Sequence, residues 1–463
     1  MSTRTLLRGG TVITSARAGE VLTDTDVLIG VDGNIEAIGK DLAAGDAAVI
    51  DVHGRIVHPG FVDTHRHTWQ SVVRHVASDW SLTEYLAGLH TGLSKYFRPE
   101  DTYTGNYLGA LEALDSGITT LVDWSHNLAT PAHADAAVQA LKDTGMRAVF
   151  AHGGGSKQWG APLPSPHNHP ADDARRVRDE HFASDDGLVT MALALRGPQF
   201  TTPEVNEHDF RLAQDLDLRV TVHVGDGYWG KSGPIRQLKR DGLLSNRITY
   251  VHCCTLGDDE LAMIADSGGT ASVSPDVEMQ MGHGFPATGR LLKAGIRPTF
   301  SIDVCSSNGG DMYGTMRTAI GMQRALDNAP SVETGEVLER IGLSVTDVMR
   351  FATIDGAHAA GLDDRTGSLE VGKAADLVVL DGRSLALTPM NNPIGAVVYS
   401  AHPGLVRDVF VQGTQVKKDG VLVGVDIDAL RARAQESRDY IVGEMPEAKL
   451  DGTWHPDLAT QQG

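Results

Sequence analysis

Gly54-Arg-Ile-Val-His-Pro-Gly-Phe-Val-Asp-Thr-His-Arg-His67 reads as an apolar strand, carried by Ile56, Val57, Phe61 and Val62, that stops on two histidines one residue apart. Side chains at i and i+2 of a strand leave the same face. His65 and His67 therefore reach a common point, and neutral imidazole is the commonest metal ligand. In a chain with 19 histidines the pair alone decides little, since two solvated loop histidines read equally well. Its weight comes from the same pattern recurring downstream.

Seven more strand-like runs follow: Ile118–Asp123, Arg147–His152, Val189–Leu195, Leu218–His223, Ile248–His252, Gly269–Ser274 and Ile296–Asp303. With the first they make eight, the number that closes a (β/α)8 TIM barrel. Stretches between them, such as Tyr107–Ser116, Ala132–Thr144 and Glu260–Asp266, carry helical apolar spacing. A different, β-rich texture broken by Gly and Asp turns occupies both ends of the chain. It runs through Thr11–Thr14, Asp26–Gly30, Asn34–Ile38 and Ala48–Asp51, and returns in Gly367–Asp381, Val406–Gly413 and Val421–Val425. The expected fold is α/β: a barrel over 59–366 and a small β-sandwich assembled from 1–58 and 367–425. Residues 426–463 read as a charged amphipathic helix, Asp426–Met445, with a polar end expected to fray.

Composition narrows the functional classes. Hydrophobic and charged contents of 41% and 22% are those of an ordinary soluble globule. No apolar stretch is long enough to span a bilayer, and the N-terminal apolar region is too short for a secretory signal. Cys253, Cys254 and Cys305 cannot build a disulfide framework, which points to a reducing cytoplasm. A net charge of −20 argues against nucleic acid and anionic membranes as partners. A small-molecule substrate and a homo-oligomer are expected.

In a (β/α) barrel the C-terminal strand ends ring the active site. Placed there, His65, His67, His223, His252 and Asp303 bring five metal-capable groups to one mouth. Each alone reads as well as a satisfied core or loop group; together, at barrel strand ends, they do not. Three neutral imidazoles and one carboxylate suit a divalent first-row metal and leave room for water.

The chain resembles the amidohydrolase superfamily, in the branch of mononuclear-metal deaminases and s-triazine hydrolases. The matching motifs are Pro59–His67, Val220–His223, Val251-His252, Ser301–Asp303, Ala352–Leu362 and Gly367–Leu377, in family order over nearly the whole chain. The resemblance implies His65, His67, His223 and Asp303 as ligands of one divalent metal ion, zinc being expected and Fe2+, Co2+ and Mn2+ the alternatives. It implies His252 as a catalytic group beside them. The binuclear branch bridges two metals with a modified lysine on the fourth strand; here that strand ends Leu193-Ala-Leu-Arg-Gly-Pro198, without one.

One departure concerns the residue three positions after His223, usually glutamate in this branch and here Asp226. The shorter side chain loses roughly 1.5 Å of reach. Asp226 can relay protons through water, serve a differently placed leaving group, or cap its turn. After strand 7, relatives often carry a substrate-contacting segment; here Glu278 and His283 are the pocket candidates, against a plain reading as solvated loop groups. Trp69, Gln70, Trp124 and His126, with Trp80, are expected beyond strand ends 1 and 2 as an aromatic wall with a polar edge. Adjacent Cys253 and Cys254 point oppositely on a strand, so burial is favoured over a zinc knuckle.

The expected chemistry is hydrolysis at a carbon–nitrogen bond, most simply deamination of an N-heteroaromatic ring. Asp303 takes a proton from water activated by the metal, His252 steadies the oxyanion, and Asp226 passes a proton to nitrogen. Hydrolysis of an acyclic amide, urea or carbamate is the alternative within enzymes. A metal-holding scaffold without catalysis is the alternative outside them.

Overall fold

The computed structural model describes residues 4–159, 163–448 and 453–458. Eight parallel strands pair in chain order: Phe61–Arg66, Ile118–Ser125, Arg147–His152, Val189–Leu195, Arg219–Val224, Ile248–His252, Thr270–Val273 and Pro298–Phe300. They are buried almost throughout, as parallel strands covered on both faces must be, and for that reason read as unbroken apolar runs. The barrel closes through a parallel bridge between Arg66 and Asp303. The His67 amide donates to the Asp303 carbonyl at 2.7 Å, and the Asp303 amide donates to His65 at 2.9 Å.

Helices wrap the barrel. Five of them, Pro99–Asp115, Pro131–Asp143, Pro203–Asp215, Pro234–Arg240 and Pro275–Gln280, open on proline, whose missing N–H is no loss in the first turn. The first two and Asp258–Ser267 are the helices that the apolar spacing predicts.

Both chain ends build one nine-stranded mixed sheet. Its seam is the antiparallel pairing of Ile56–Pro59 with Leu377–Leu380. The sheet curls over a single core, in which Val27, Ile29 and Ile35 from one end meet Val379 and Phe410 from the other. Gly33, at φ 81°, lets the two ends touch, because a Cβ there would come within 2.0 Å of the Gln412 carbonyl. The barrel and the sheet are joined through Gly60, whose Cβ would fall 1.9 Å from Thr119 Oγ1. A buried ion pair, Arg147 Nε to Asp376 Oδ2 at 2.6 Å, locks the same junction.

The C-terminal helix spans Ile427–Glu444. Residues 449–452 and 459–463 of the polar end lie outside the described residues. Where it is described, this end makes contacts with the barrel. The Trp80 indole N–H donates to the Trp454 carbonyl at 3.0 Å, and His455 Nδ1 lies 2.7 Å from Glu84. These contacts brace the short helical turns Leu82–Tyr85 and Leu86–His90, which cover the barrel mouth. Among the described residues no helix is long and apolar enough to cross a membrane.

Candidate active site

His65 and His67 end the first barrel strand and project to one point beside Asp303. Their Nε2 atoms lie 3.3 and 3.4 Å from Asp303 Oδ1. His223, from the fifth strand, stands with its ring 4.9 Å from His65 and 5.6 Å from His67. His67 Nδ1–H donates to the Trp124 carbonyl at 2.9 Å. Since a carbonyl only accepts, this bond leaves the Nε2 lone pair facing the cluster, the arrangement that orients a histidine ligand. Asp303 adopts φ 65°, a left-handed conformation that few residues other than glycine, asparagine and aspartate adopt. The two barrel-closing hydrogen bonds hold it there, so closure itself aims the carboxylate.

Burial pushes His65, His67 and His223 below the ordinary imidazole pKa, leaving them neutral. For Asp303 burial pushes upward, but the neighbouring histidines, His65 first, hold its carboxyl well below the usual range. Among the described residues, both ring nitrogens of His65 and Nδ1 of His223 are buried without a hydrogen-bond partner. Orphaned neutral imidazoles around an ionised carboxylate are a donor set that fits a divalent cation.

His252 ends the sixth strand at φ 76° and faces three carboxylates. Its Nδ1–H donates to Glu278 Oε1 at 3.1 Å; its Nε2 lies 3.5 Å from Asp226 Oδ1 and 3.8 Å from Asp303 Oδ2. Burial opposes its charge, yet Asp226, Glu278 and Asp303 together raise its pKa to about 9. Asp226 does not cap its turn. Its carboxylate accepts from His283 Nδ1–H at 3.0 Å and from the Gln199 amide, while Gln199 Oε1 accepts the Gly225 N–H at 2.8 Å. Against burial, His252 and these partners keep Asp226 below the usual carboxylate pKa.

A cavity of about 30 Å³ adjoins this cluster. Leu82, Leu86, Phe200, Val277, Met281 and Val304 supply its aliphatic and aromatic walls, with Tyr85, His90 and Trp159. Of the expected substrate contacts, His126 and His283 line it, whereas Trp69, Gln70, Trp124 and Glu278 do not. Trp69 lies behind the wall, its indole N–H donating to His126 Nδ1 at 2.9 Å. His126 then donates from Nε2 to His90 Nε2 at 3.2 Å. Gln70 is consumed inside the protein, donating to the Tyr85 hydroxyl at 2.5 Å and accepting from Ser306 at 2.9 Å. Trp124 belongs to the second strand, which runs on to Ser125, and packs 4.4 Å from the His223 ring. Glu278 is fully buried behind His252, not solvated on a loop.

Tyr85, His90 and Trp159 went unread in the sequence. For the first two, the helical spacing of Leu82, Leu86 and Leu89 was the available signal; for Trp159 there was none. Cys253 and Cys254 are both buried, with Sγ atoms 3.8 Å from the carbonyls of Tyr250 and His252, and share no site. Beyond the fourth strand Arg196 turns away, bonding the carbonyls of Gln158 and His167.

A model of the amidohydrolase family matches residues 56–416. The chain belongs to the amidohydrolase family. Its chemistry is therefore hydrolysis at carbon–nitrogen bonds. It is 30% identical over 455 residues to a 5-methylthioadenosine/S-adenosylhomocysteine deaminase of Symbiobacterium thermophilum, covering 95% of this chain and 100% of that one. It is 29% identical to a 5'-deoxyadenosine deaminase of Methanothermobacter thermautotrophicus, covering 88% and 91%. Among solved structures, an adenosine deaminase from Xanthomonas campestris with bound zinc superposes with a TM-score of 0.83 at 26% identity, covering 95% and 99%. Atrazine chlorohydrolase from Arthrobacter aurescens, complexed with zinc, superposes at 0.81 and 26%, covering 94% and 100%.

Proposed function

We propose that this amidohydrolase deaminates a flat, uncharged N-heteroaromatic amine with water as the nucleophile. The observation that carries the reading is the convergence of His65, His67, His223 and Asp303 with His252 and Asp226, whose Nε2 and Oδ1 atoms lie 3.5 Å apart, beside one small cavity. Among the described residues, the cavity walls outside that cluster hold no lysine, arginine or further carboxylate, which suits a neutral ring. His65, His67, His223 and Asp303 would hold one divalent cation, and zinc in the neighbouring structures supports zinc here. When bound, the cation supplies Lewis acidity that makes water nucleophilic near neutral pH.

Asp303 stays ionised and accepts the proton that water gives up as it adds to the ring carbon. His252, held by Glu278, presents a charged N–H toward the oxygen as negative charge develops there. Asp226, ionised at the outset and lodged between His252 and the cavity, takes up the second proton of water and delivers it to the ring or departing nitrogen, while the proton on Asp303 goes to the other, so that ammonia leaves neutral. Asp is shorter than the usual glutamate, and His283 and Gln199 compensate by fixing it against the cavity. The unpaired, buried cysteines support a reducing, cytoplasmic setting.

The test is a panel of amino-substituted pyrimidines, purines, pterins and triazines, assayed for ammonia release beside aryl amides, phenylureas and carbamates. Turnover of the ring amines, lost on chelation and restored by zinc, is expected. Turnover of the acyclic set alone overturns deamination in favour of amide-type hydrolysis. His67→Ala is expected to abolish both metal binding and turnover.

A further inference from the structure

The barrel has a second cavity, of about 310 Å³, at the end opposite the histidines. It lies at the strand beginnings: Arg219 opens the strand that carries His223 near its far end, and Thr249 lies near the start of the strand that His252 ends. In volume it reaches the lower bound of small-molecule pockets, about 300 Å³. Three guanidinium groups line it, from Arg219, Arg247 and Arg365.

Both carboxylates on its walls are already engaged. Asp217 pairs with Arg247 at 2.8 Å and Asp185 with Arg178 at 2.6 Å. Arg219 and Arg365 make no ion pair among the described residues. Arg219 donates to the Ala359 carbonyl at 3.2 Å, and Arg365 to the Asp185 carbonyl at 2.7 Å. A guanidinium carries five N–H donors, so most of their capacity is unspent. Burial, with Arg247 nearby, pushes Arg219 below the ordinary guanidinium pKa. Asp363, the carboxylate that opposes this shift, is bonded to His358 at 3.0 Å.

The cavity also reaches four threonines of the barrel strands, Thr64, Thr190, Thr221 and Thr249. The hydroxyls of Thr64 and Thr249 are paired, with Ser272 and Thr270 among their partners. Thr221 is 4% exposed, and its Oγ1 has no partner. Two guanidiniums outside any described ion pair and a buried hydroxyl with no described partner thus line one cavity.

We propose that this cavity binds a phosphate-type oxyanion, at a site separate from the reaction centre. The planar N–H pairs of Arg219 and Arg365 match oxygens of a tetrahedral anion, and Thr221 donates to another. Free phosphate and the phosphate of a nucleotide share this chemistry.

Equilibrium dialysis of the zinc-loaded protein against radiolabelled inorganic phosphate, at fixed ionic strength, tests the site. One equivalent per chain is expected, undisplaced by chloride. Arg219→Gln and Arg365→Gln should each weaken binding about tenfold or more, the scale of a lost charge-assisted bond, and Thr221→Val less. Displacement by adenosine monophosphate at lower concentrations than by phosphate assigns the site to a nucleotide; the reverse order assigns it to the free anion. Absence of saturable uptake overturns the proposal. So does unchanged uptake in Arg365→Gln with wild-type circular dichroism, because phosphate held at the metal would ignore that change. Should Arg219→Gln fail to fold, the partly exposed Arg365 decides.

Discussion

Replacing Glu278 by glutamine isolates the carboxylate behind His252. Glu278 Oε1 accepts both the Ser274 N–H at 2.7 Å and the His252 Nδ1–H at 3.1 Å. An amide oxygen in the same place keeps both bonds and the buried volume, so the fold and the metal cluster should persist. What disappears is the negative charge that helps His252 remain protonated. A hydrogen bond to a charged partner contributes about 1.5–3 kcal/mol and a neutral one about 0.5–1.5, so the loss is roughly 1–1.5 kcal/mol. If His252 carries that charge into the transition state, kcat falls about 5- to 13-fold with KM nearly unchanged. Steady-state rates on a responsive ring amine, alongside elemental analysis, measure this. Turnover within twofold of wild type, or a loss matched by missing metal, refutes the reasoning.

His252→Ala removes the donor itself and should lower turnover about 10²- to 10³-fold with metal content unchanged, as rate and metal assays on one preparation will report. Asp226→Asn should reduce kcat about 10²-fold or more while the circular dichroism spectrum and metal content stay as they are. Gly60→Ala drives a Cβ to 1.9 Å from Thr119 Oγ1 and should destabilise the protein by about 1–3 kcal/mol, seen as a lower Tm that Thr119→Ala partly restores.

Much of this was legible in the sequence because local pattern and three-dimensional position coincide in a barrel. A strand buried on both faces reads as an apolar run, and its last polar residue falls at the mouth; His65, His67, His223, His252 and Asp303 follow from that rule. The rule gives position along a strand but not direction around it. Trp69, Gln70 and Trp124 stand at the mouth yet turn behind the cavity, because their bonds to His126, Tyr85 and neighbouring strands are set by packing that no local pattern encodes. Glu278 resembled a solvated loop carboxylate until the Pro275–Gln280 helix turned it against the adjacent strand's His252. The hold of Trp454 on Trp80 spans 374 residues and leaves no periodic trace.

That last contact has a practical side. The turns that roof the candidate cavity are propped from outside by the segment around Trp454 and His455, so the mouth is sensitive to what is done there. A purification tag or fusion partner placed after this segment, or a trim that removes it, acts on the roof and therefore on substrate entry. Kinetic comparison across variants is accordingly safest with Trp454 and His455 left in place.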